Sequence, residues 1–245
     1  MPRFFVDKEY IKEEKIIISG SDAHHIARSL RMAEGDAVTV SDGEGMEYEC
    51  RLSRIRDEEC ECEILLKSPS ERESPVYITL FMAYPKGDKL EVVIQKAVEL
   101  GASRIVPFES SRCIKRPKAE KQDKQLARLK KIAEEAAKQC GRARIPEVSL
   151  PLSFEKMLCE MKKSALSLLC YEDERGTNIK TALREAGEKD SIAVIVGSEG
   201  GFSEGEAEAA KAAGARAVSL GKRILRCETA PSFALSAIAY EMELS

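Results

Sequence analysis

The sequence has no long hydrophobic run, and this absence sets the first limit on its class. None of its apolar stretches approaches the roughly 20 residues that a membrane-spanning helix needs. The first ten residues, MPRFFVDKEY, also lack the apolar core of a signal peptide. We therefore expect a cytoplasmic protein.

Metal-binding patterns are missing as well. The eight cysteines include no C-x-x-C pair, and the two histidines, His24 and His25, both lie near the N-terminus. Structural zinc sites need four such ligands at characteristic spacings. We expect free cysteines and no bound metal. Because the later part of the chain has no histidine, a serine–histidine–acid triad has no support there either.

Charge is present but unevenly distributed. The 245 residues carry a net charge of −3, yet the segment from Arg112 to Arg144 contains twelve Lys or Arg and four Asp or Glu. Its local net charge is therefore +8, and the rest of the chain carries −11. Such a segment indicates a polyanion partner. The alternative is a solvated helix face, since lysine and arginine are good helix formers.

The pattern of strands and helices changes near the segment KSPSERESP at 67–75. Before it, strand-like runs occupy 15–19, 37–42, 47–55 and 61–67, with one helix around 21–32. These short strands, separated by turn signals, predict a small β-barrel domain over residues 1–72.

After this segment, strands and helices alternate, which predicts an α/β domain over 73–245 with a parallel sheet. The predicted strands lie at 76–83, 104–108, 165–171, 190–196 and 215–221. The predicted helices lie at 89–101, 119–141, 178–186 and 203–213, with a last helix over 231–244.

The stretch IVGSEGGFSEGE, at 195–206, joins a predicted buried strand to a helix. Gly197, Gly200 and Gly201 allow a turn or a close approach of the backbone. Ser203 and Glu206 have the spacing of a capping box, so the helix should begin there. The spacing fits neither common nucleotide-phosphate motif. This stretch alone leaves a plain turn and a ligand cradle open.

A second loop, LGKRILRCETAPS at 220–232, follows the next strand. Thr229 is expected to cap the last helix, with Pro231 in its first turn. In parallel sheets, ligands bind beyond the carboxyl ends of the strands. Two such loops after strands of one sheet therefore favour the ligand site.

GSEGGFSEGE and LGKRILRCETA resemble the paired signature loops of SPOUT-class RNA methyltransferases, and most closely those of the bacterial 16S ribosomal RNA (uracil-N3) methyltransferase family. The resemblance extends along the whole chain. It includes PRFFV (2–6), HHIARSLRMAEGD (24–36), KGDKLEVVIQKAVELGASRIVPFESSRC (86–113) and EEAAKQCGRARIPEV (134–148). Ser198 stands where family members usually have proline, and Cys227 where they commonly have threonine.

The resemblance implies a SPOUT-type parallel sheet with a C-terminal trefoil knot, preceded by a PUA-like barrel that holds RNA. It also implies S-adenosylmethionine as cofactor, bound between the two loops. One wall of that pocket would be formed by Gly197, Glu199, Gly200 and Gly201. The other wall would be formed by Leu220, Gly221, Ile224, Leu225, Arg226, Glu228, Thr229 and Ala230, with a third edge after Cys170.

Methylation of uracil N3 requires loss of its proton, so negative charge develops on the acceptor. Arg226 is the candidate for stabilising that charge, unless it forms an ion pair with Glu199 or Glu228. Glu199 is the candidate for accepting the proton or for anchoring substrate or cofactor, unless it is only a loop carboxylate that accepts hydrogen bonds from backbone amides. Contacts with 16S RNA are expected from basic residues in both domains, namely His25, Arg28, Arg31, Arg112, Lys115, Arg116, Lys118, Lys121 and Arg142. For His24 and His25 the alternative is a structural role, in packing or in the polarity of the helix of the barrel domain.

The last helix predicts a homodimer. Its apolar residues spread around much of the helix surface, so it needs cover on more than one side. They are Phe233, Leu235, Ile238, Ala239, Tyr240, Met242 and Leu244. Two other functions stay open: a knotted enzyme that methylates another RNA position, such as a ribose 2′-hydroxyl, and a non-catalytic RNA-binding assembly factor.

Overall fold

A computed structural model describes residues 1–114 and 122–244 of the chain. The described residues divide into two compact units. The first contains Met1–Glu73 and Ala137–Ile145, and the second contains the remaining described residues. Four of the predicted RNA-binding residues, Lys115, Arg116, Lys118 and Lys121, lie outside the described residues.

The first unit is built on a curled sheet. Its described strands, in the spatial order β1-β3-β4-β5-β2, are β1 (Arg3–Phe5), β2 (Lys15–Ser19), β3 (Ala37–Ser41), β4 (Met46–Ile55) and β5 (Glu59–Pro69). Alternate side chains point to one side, so Ile16, Ile18, Val38 and Val40 are fully buried together. The four predicted strands are confirmed. Among the described residues β1 and β2 do not pair with each other, so the sheet is open where a closed barrel was expected.

The helix predicted over 21–32 is shorter and less regular than expected. Helix α1 (Gly20–His24) is followed by one π-helical turn over His25–Ser29. Its wider spacing is seen where the backbone N–H of Leu30 donates to the carbonyl oxygen of His25 at 2.9 Å. His25, Arg28 and Arg31 are exposed on this surface.

The second unit contains a parallel sheet, as predicted. Its described strands are β6 (Tyr77–Ala83), β7 (Arg104–Glu109), β8 (Glu147–Val148), β9 (Leu152–Ser153), β10 (Leu166–Cys170), β11 (Ser191–Val196) and β12 (Arg216–Val218). The spatial order is β12-β10-β11-β6-β7-β8, with β9 also beside β7, and every pair is parallel. Because helices cover such a sheet on both faces, its central strands are almost entirely apolar.

The helices of the second unit follow the predicted alternation with one addition. They are α2 (Lys89–Glu99), α3 (Gln122–Cys140, whose last turn belongs to the first unit), α4 (Phe154–Met161), α5 (Ile179–Ala186), α6 (Glu204–Ala212) and α7 (Thr229–Glu243). Helix α4 was not predicted from the sequence, although Ser153 caps it by accepting a hydrogen bond from the backbone N–H of Lys156 at 3.3 Å. No helix within the two described ranges is long and apolar enough to cross a membrane.

The predicted capping box at the start of α6 is confirmed, and its glutamate has a second role. The Ser203 hydroxyl accepts from the N–H of Glu206 at 3.2 Å, and the Glu206 carboxylate accepts from the N–H of Ser203 at 3.0 Å. The same carboxylate accepts from the backbone N–H of Ser111 at 2.6 Å and from its hydroxyl at 2.8 Å. Glu206 therefore ties the loop after β7 to the start of α6.

This arrangement predicts a pH-dependent contribution to stability. Burial acts to raise the pKa of Glu206, but hydrogen bonds from Ser111 and Ser203 outweigh it, and the pKa lies below the ordinary value of a glutamate carboxyl. A lowered folded-state pKa stabilises the fold above the unfolded-state pKa, and the stabilisation is lost as the pH falls through the folded value. Glu206→Gln should lower the free energy of unfolding at pH 7 by about 1 kcal/mol and weaken its decline below pH 4.5.

Urea unfolding at pH 7 and pH 3.5 measures both effects. Glu208→Gln is the matched control, because Glu208 lies on the same helix and its carboxylate pairs with Lys211 on the helix surface. An acid-induced loss of stability as large in Glu206→Gln as in the wild type would contradict the assignment.

Candidate active site

Four loops meet at the carboxyl edge of the parallel sheet in the second unit. They follow β6, β10, β11 and β12, and because these strands are parallel neighbours their carboxyl ends lie at one edge. Residues from the loops after β10, β11 and β12 line a cavity of about 500 Å³, together with Lys89 at the start of the helix that follows β6. This volume falls within the range of roughly 300–1,000 Å³ that is usual for small-molecule sites.

Most of the predicted cofactor residues line this cavity. They are Gly197, Glu199, Gly201, Leu220, Gly221, Ile224, Leu225, Arg226 and Ala230. The other three, Gly200, Glu228 and Thr229, do not line it. Thr229 is the first residue of α7, and the helix cap is Glu228, so the prediction that Thr229 caps this helix is wrong.

The glycine loop after β11 is a tight turn packed against its neighbours. The N–H of Gly201 donates to the carbonyl oxygen of Ser198 at 3.0 Å, and Gly201 has a φ of +63°. A Cβ atom on Gly201 would lie 2.0 Å from Glu172 Oε1. A Cβ atom on Gly200 would instead lie 2.9 Å from the Cβ atom of Arg112. Gly201 therefore borders the cavity, whereas Gly200 faces away toward the loop after β7.

Ser198 gives this loop an unusual feature. The residue is 6% exposed and lines the cavity. Its hydroxyl has no hydrogen-bond partner among the described residues. A buried hydroxyl without a partner costs stability, and the proline usual in the resembled family would not carry this cost.

An acid–lysine cluster lies at one edge of the cavity. Lys89 Nζ lies 3.0 Å from Glu199 Oε1 and 3.3 Å from Glu228 Oε2. The Glu199 carboxylate also accepts from the backbone N–H of Lys86 at 3.1 Å. Burial acts to raise the pKa of Glu199, but backbone hydrogen bonds and Lys89 lower it below its usual value. A carboxylate held ionised in this way is better suited to anchoring than to accepting a proton.

Cys227 belongs to the same cluster and is unreactive. Its thiol lies 3.2 Å from Glu228 Oε2 and 3.8 Å from Lys89 Nζ. Burial, followed by the hydrogen bond to Glu228, raises the pKa of Cys227 to about 12. Because the thiolate is the nucleophilic form, this cysteine is a poor candidate for covalent catalysis.

Arg226 lines the cavity, and its guanidinium has no ion-pair partner among residues 1–114 and 122–244. The predicted alternative, an ion pair with Glu199 or Glu228, is absent there because Lys89 occupies both carboxylates. Three more cations, Arg175, Lys222 and Arg223, also line the cavity. A free cation in a cationic opening suits an anionic substrate.

The apolar slot expected for adenine is partly formed. Leu220 and Leu225 are half-buried, whereas Ile224 is 88% exposed. Val196 and Cys170, the last residues of their strands, add a buried apolar floor.

Several lining residues were not predicted from the sequence. Lys89, Tyr171, Glu172, Arg175 and Ser219 are the main ones. Tyr171, Glu172 and Arg175 follow Cys170, where a third edge of the cofactor pocket was expected. Lys89 and Ser219 carried no local sequence signal of a binding site. Lys89 begins an amphipathic helix, where a lysine is normally a surface residue.

The predicted RNA-binding residues have different surroundings. Arg142 is 4% exposed and pairs with Glu73 at 2.8 Å, so it does not occupy the accessible surface expected of an RNA ligand. Arg112 is exposed, and it donates to the carbonyl oxygen of Gly200 at 3.0 Å. Arg28 pairs with Asp57 but remains accessible, as do His25 and Arg31.

Comparisons with known proteins agree with this geometry. Residues 72–239 match the RNA methyltransferase domain family, and residues 18–65 match the RNA methyltransferase PUA domain family. The chain is 35% identical over 251 residues to ribosomal RNA small subunit methyltransferase E of Bacillus subtilis (strain 168), covering 100% of this chain and 98% of that protein.

Two solved structures are also similar. Ribosomal RNA small subunit methyltransferase E from Neisseria gonorrhoeae, bound to S-adenosyl methionine, has a TM-score of 0.87 at 32% identity and covers 98% of each chain. A methyltransferase from Legionella pneumophila, in complex with its bound cofactor SAM, has a TM-score of 0.85 at 31% identity. It covers 98% of this chain and 97% of that one.

The fold and the cavity define an α/β domain with a cavity of small-ligand size at the carboxyl edge of a parallel sheet. The match over residues 72–239 identifies the family of this domain: the chain belongs to the RNA methyltransferase family.

The glycine loop yields a test of the cavity. In Gly201→Ala the new methyl group would displace the exposed carboxylate of Glu172, which lines the cavity, and the residue would occupy a strained backbone conformation. We expect the affinity for S-adenosylmethionine to fall by roughly tenfold or more, a cost of about 1.4 kcal/mol. Isothermal titration calorimetry measures the change.

Gly214→Ala is the control for this variant. Gly214 also has a positive φ, +103°, but a Cβ atom there meets nothing within 4 Å. Gly214→Ala therefore measures the effect of backbone strain alone, without a new methyl group near the cavity. Equal cofactor affinities for the two folded variants would contradict the assignment of the glycine loop to the cofactor site.

Proposed function

We propose that this protein transfers a methyl group from S-adenosylmethionine to N3 of a specific uridine in 16S ribosomal RNA, within the small ribosomal subunit. The observation that carries the proposal is the cavity between the two predicted loops, with Arg226 at its wall and no ion-pair partner for it among the described residues. The relatives named for small-subunit ribosomal RNA methylation support the choice of substrate. An rRNA-modifying enzyme of this kind acts in the cytoplasm.

The residues present fit the cofactor. The glycine turn leaves room where a side chain at position 201 would collide with Glu172. Leu220, Leu225 and the floor at Val196 offer apolar contacts for an adenine ring. The carboxylates of Glu172 and Glu199 suit a molecule that carries positive charge.

The chemistry follows from this chain's own groups. When bound, S-adenosylmethionine supplies an electrophilic methyl group on a sulfonium. In this proposal Arg226 stabilises the negative charge that develops on the uracil as N3 loses its proton. Glu199, held by Lys89 and the N–H of Lys86, anchors the loop beside the reacting groups. Holding the two reactants in line supplies much of the remaining acceleration.

The proposal includes a trefoil knot in the second unit and RNA binding by the first. The knot is supported by family membership and by the path of the chain, which leaves β11 and returns on the far side of β10 as β12. RNA binding by the first unit is supported by the PUA match over 18–65 and by the exposed His25, Arg28 and Arg31.

Methyl transfer from labelled cofactor to small ribosomal subunits, followed by nucleoside mass spectrometry, tests the proposal. We expect 3-methyluridine from the wild type. Arg226→Met should lower kcat by roughly 100-fold, the usual cost of losing one charge-stabilising group, with cofactor affinity little changed. Lys180→Met, on the outer surface of α5, is the control and should match the wild type.

Other products would replace the proposal. A methyl group on a ribose hydroxyl would favour the first alternative, a knotted methyltransferase that modifies another RNA position. Subunit binding without any transfer would favour the assembly factor.

The proposed enzyme is a homodimer, and the exposed apolar side chains of α7 support this proposal. Leu235 and Ile238 are fully buried within their own chain, where α7 packs against α2, α5 and β11. On the outer side, Phe233, Tyr240 and Leu244 are 42%, 68% and 76% exposed. Their spacing of seven and four residues places them on one face of the helix. A partner related by a two-fold axis would cover this stripe.

Phe233→Glu with Tyr240→Glu should therefore produce monomers, because two charges would lie in the dimer interface. Sedimentation velocity measures the change in mass. Substitution of Ile238 cannot serve as this test, since it would disrupt the core of the single chain. A wild-type protein that is monomeric at assay concentration and active would contradict the dimer.

A further inference from the structure

Lys89 is the only described cation that contacts acidic groups from both loops of the cavity. Its Nζ lies 3.0 Å from Glu199 in the loop after β11 and 3.3 Å from Glu228 in the loop after β12. It also lies 3.8 Å from the sulfur of Cys227. One helix, α6, and one strand, β12, separate these two loops in the chain.

The local sequence fixes the place of Lys89. Strand β6 ends at Ala83, Asp88 is the N-cap of α2, and Lys89 is the first helical residue. The buried face of α2, which includes Leu90, Val93 and Ile94, holds this helix against the rest of the unit. Lys89 therefore projects from a rigid element toward two loops that have no regular structure of their own.

Without Lys89 the two carboxylates would have no counter-ion in this cluster. The side chains of Glu199 and Glu228 are 27% and 24% exposed, so solvent screens them only in part. Like charges that share a partly buried site repel each other. The backbone N–H of Lys86 would still hold Glu199, but within the described residues no other ion pair holds Glu228. The second loop would then lose its link to α2.

We propose that Lys89 is a positioning residue that joins the two cofactor loops through Glu199 and Glu228 and so sets the affinity for S-adenosylmethionine. The proposal rests on the proposed function for the identity of the cofactor. Lys89 does not take part in the reaction. It acts on how closely the two loops approach each other before the cofactor enters.

Three variants test this role by calorimetry with S-adenosylmethionine and by steady-state kinetics on small ribosomal subunits. Lys89→Met removes the charge and should weaken cofactor binding by roughly tenfold, about 1.4 kcal/mol. It should raise KM for the cofactor by a similar factor, with a smaller effect on kcat. Lys89→Arg keeps the charge and can donate to two carboxylates, so it should restore most of the affinity.

The third variant is the matched control, Lys96→Met. Lys96 lies on the same helix and pairs with Glu99 at 2.9 Å on the helix surface, away from the cavity. Its cofactor affinity should equal that of the wild type. Thermal unfolding without cofactor shows whether each variant is folded.

Glu228→Gln keeps the contact between Lys89 and Glu199 and provides a second test if Lys89→Met does not fold. It should weaken cofactor binding less than Lys89→Met. Added to Lys89→Met it should cost little more, because both changes remove the same link.

Unchanged cofactor affinity in folded Lys89→Met, or an equal loss in Lys96→Met, would overturn the proposal. So would a loss of RNA affinity alone, which would make Lys89 a contact for RNA phosphate. The calorimetric result stands whether or not the wild type methylates 16S RNA. Failure of the proposed function is therefore distinguishable from failure of this inference.

Discussion

The site depends on the parallel pairing of β6, β10, β11 and β12. Parallel pairing brings the carboxyl ends of these strands to one edge of the sheet, where the loops after β10, β11 and β12 and the start of α2 line the cavity. The apolar central strands make this edge rigid, because they are buried on both faces. Residues as distant in sequence as Lys89 and Arg226 therefore line one cavity without the loops needing regular structure.

The charged residues around the cavity fall into two groups, an ion-paired cluster at one edge and a separate arginine. Glu199 and Glu228 share Lys89 at one edge, so their charges are partly compensated within the cluster. Arg226 has no such partner among the described residues and remains available to an anion. In the proposed reaction a cation is bound and negative charge then develops on the base. Compensated carboxylates beside a free guanidinium suit both requirements.

Local patterns were enough to predict much of the fold. The apolar run before Gly197 and the capping box of Ser203 predicted β11 and α6, because both signals lie within a few residues. The contact between Lys89 and Glu199 spans 110 positions and leaves no local pattern. Likewise, only the structure shows that Gly200 faces Arg112 and that Ile238 is buried in its own chain, since packing decides the direction of each side chain.

A crystal structure of the protein crystallised with S-adenosylmethionine tests most directly the claim that the cofactor binds between the two loops. The account predicts cofactor density between the loop of Gly197 to Gly201 and the loop of Leu220 to Ala230, with Lys89 still joined to Glu199 and Glu228. Arg226 should face the open side of the cavity, where the uracil would enter. Density for the cofactor at any other place in the protein, or a cofactor bound with Lys89 separated from both carboxylates, would contradict the account.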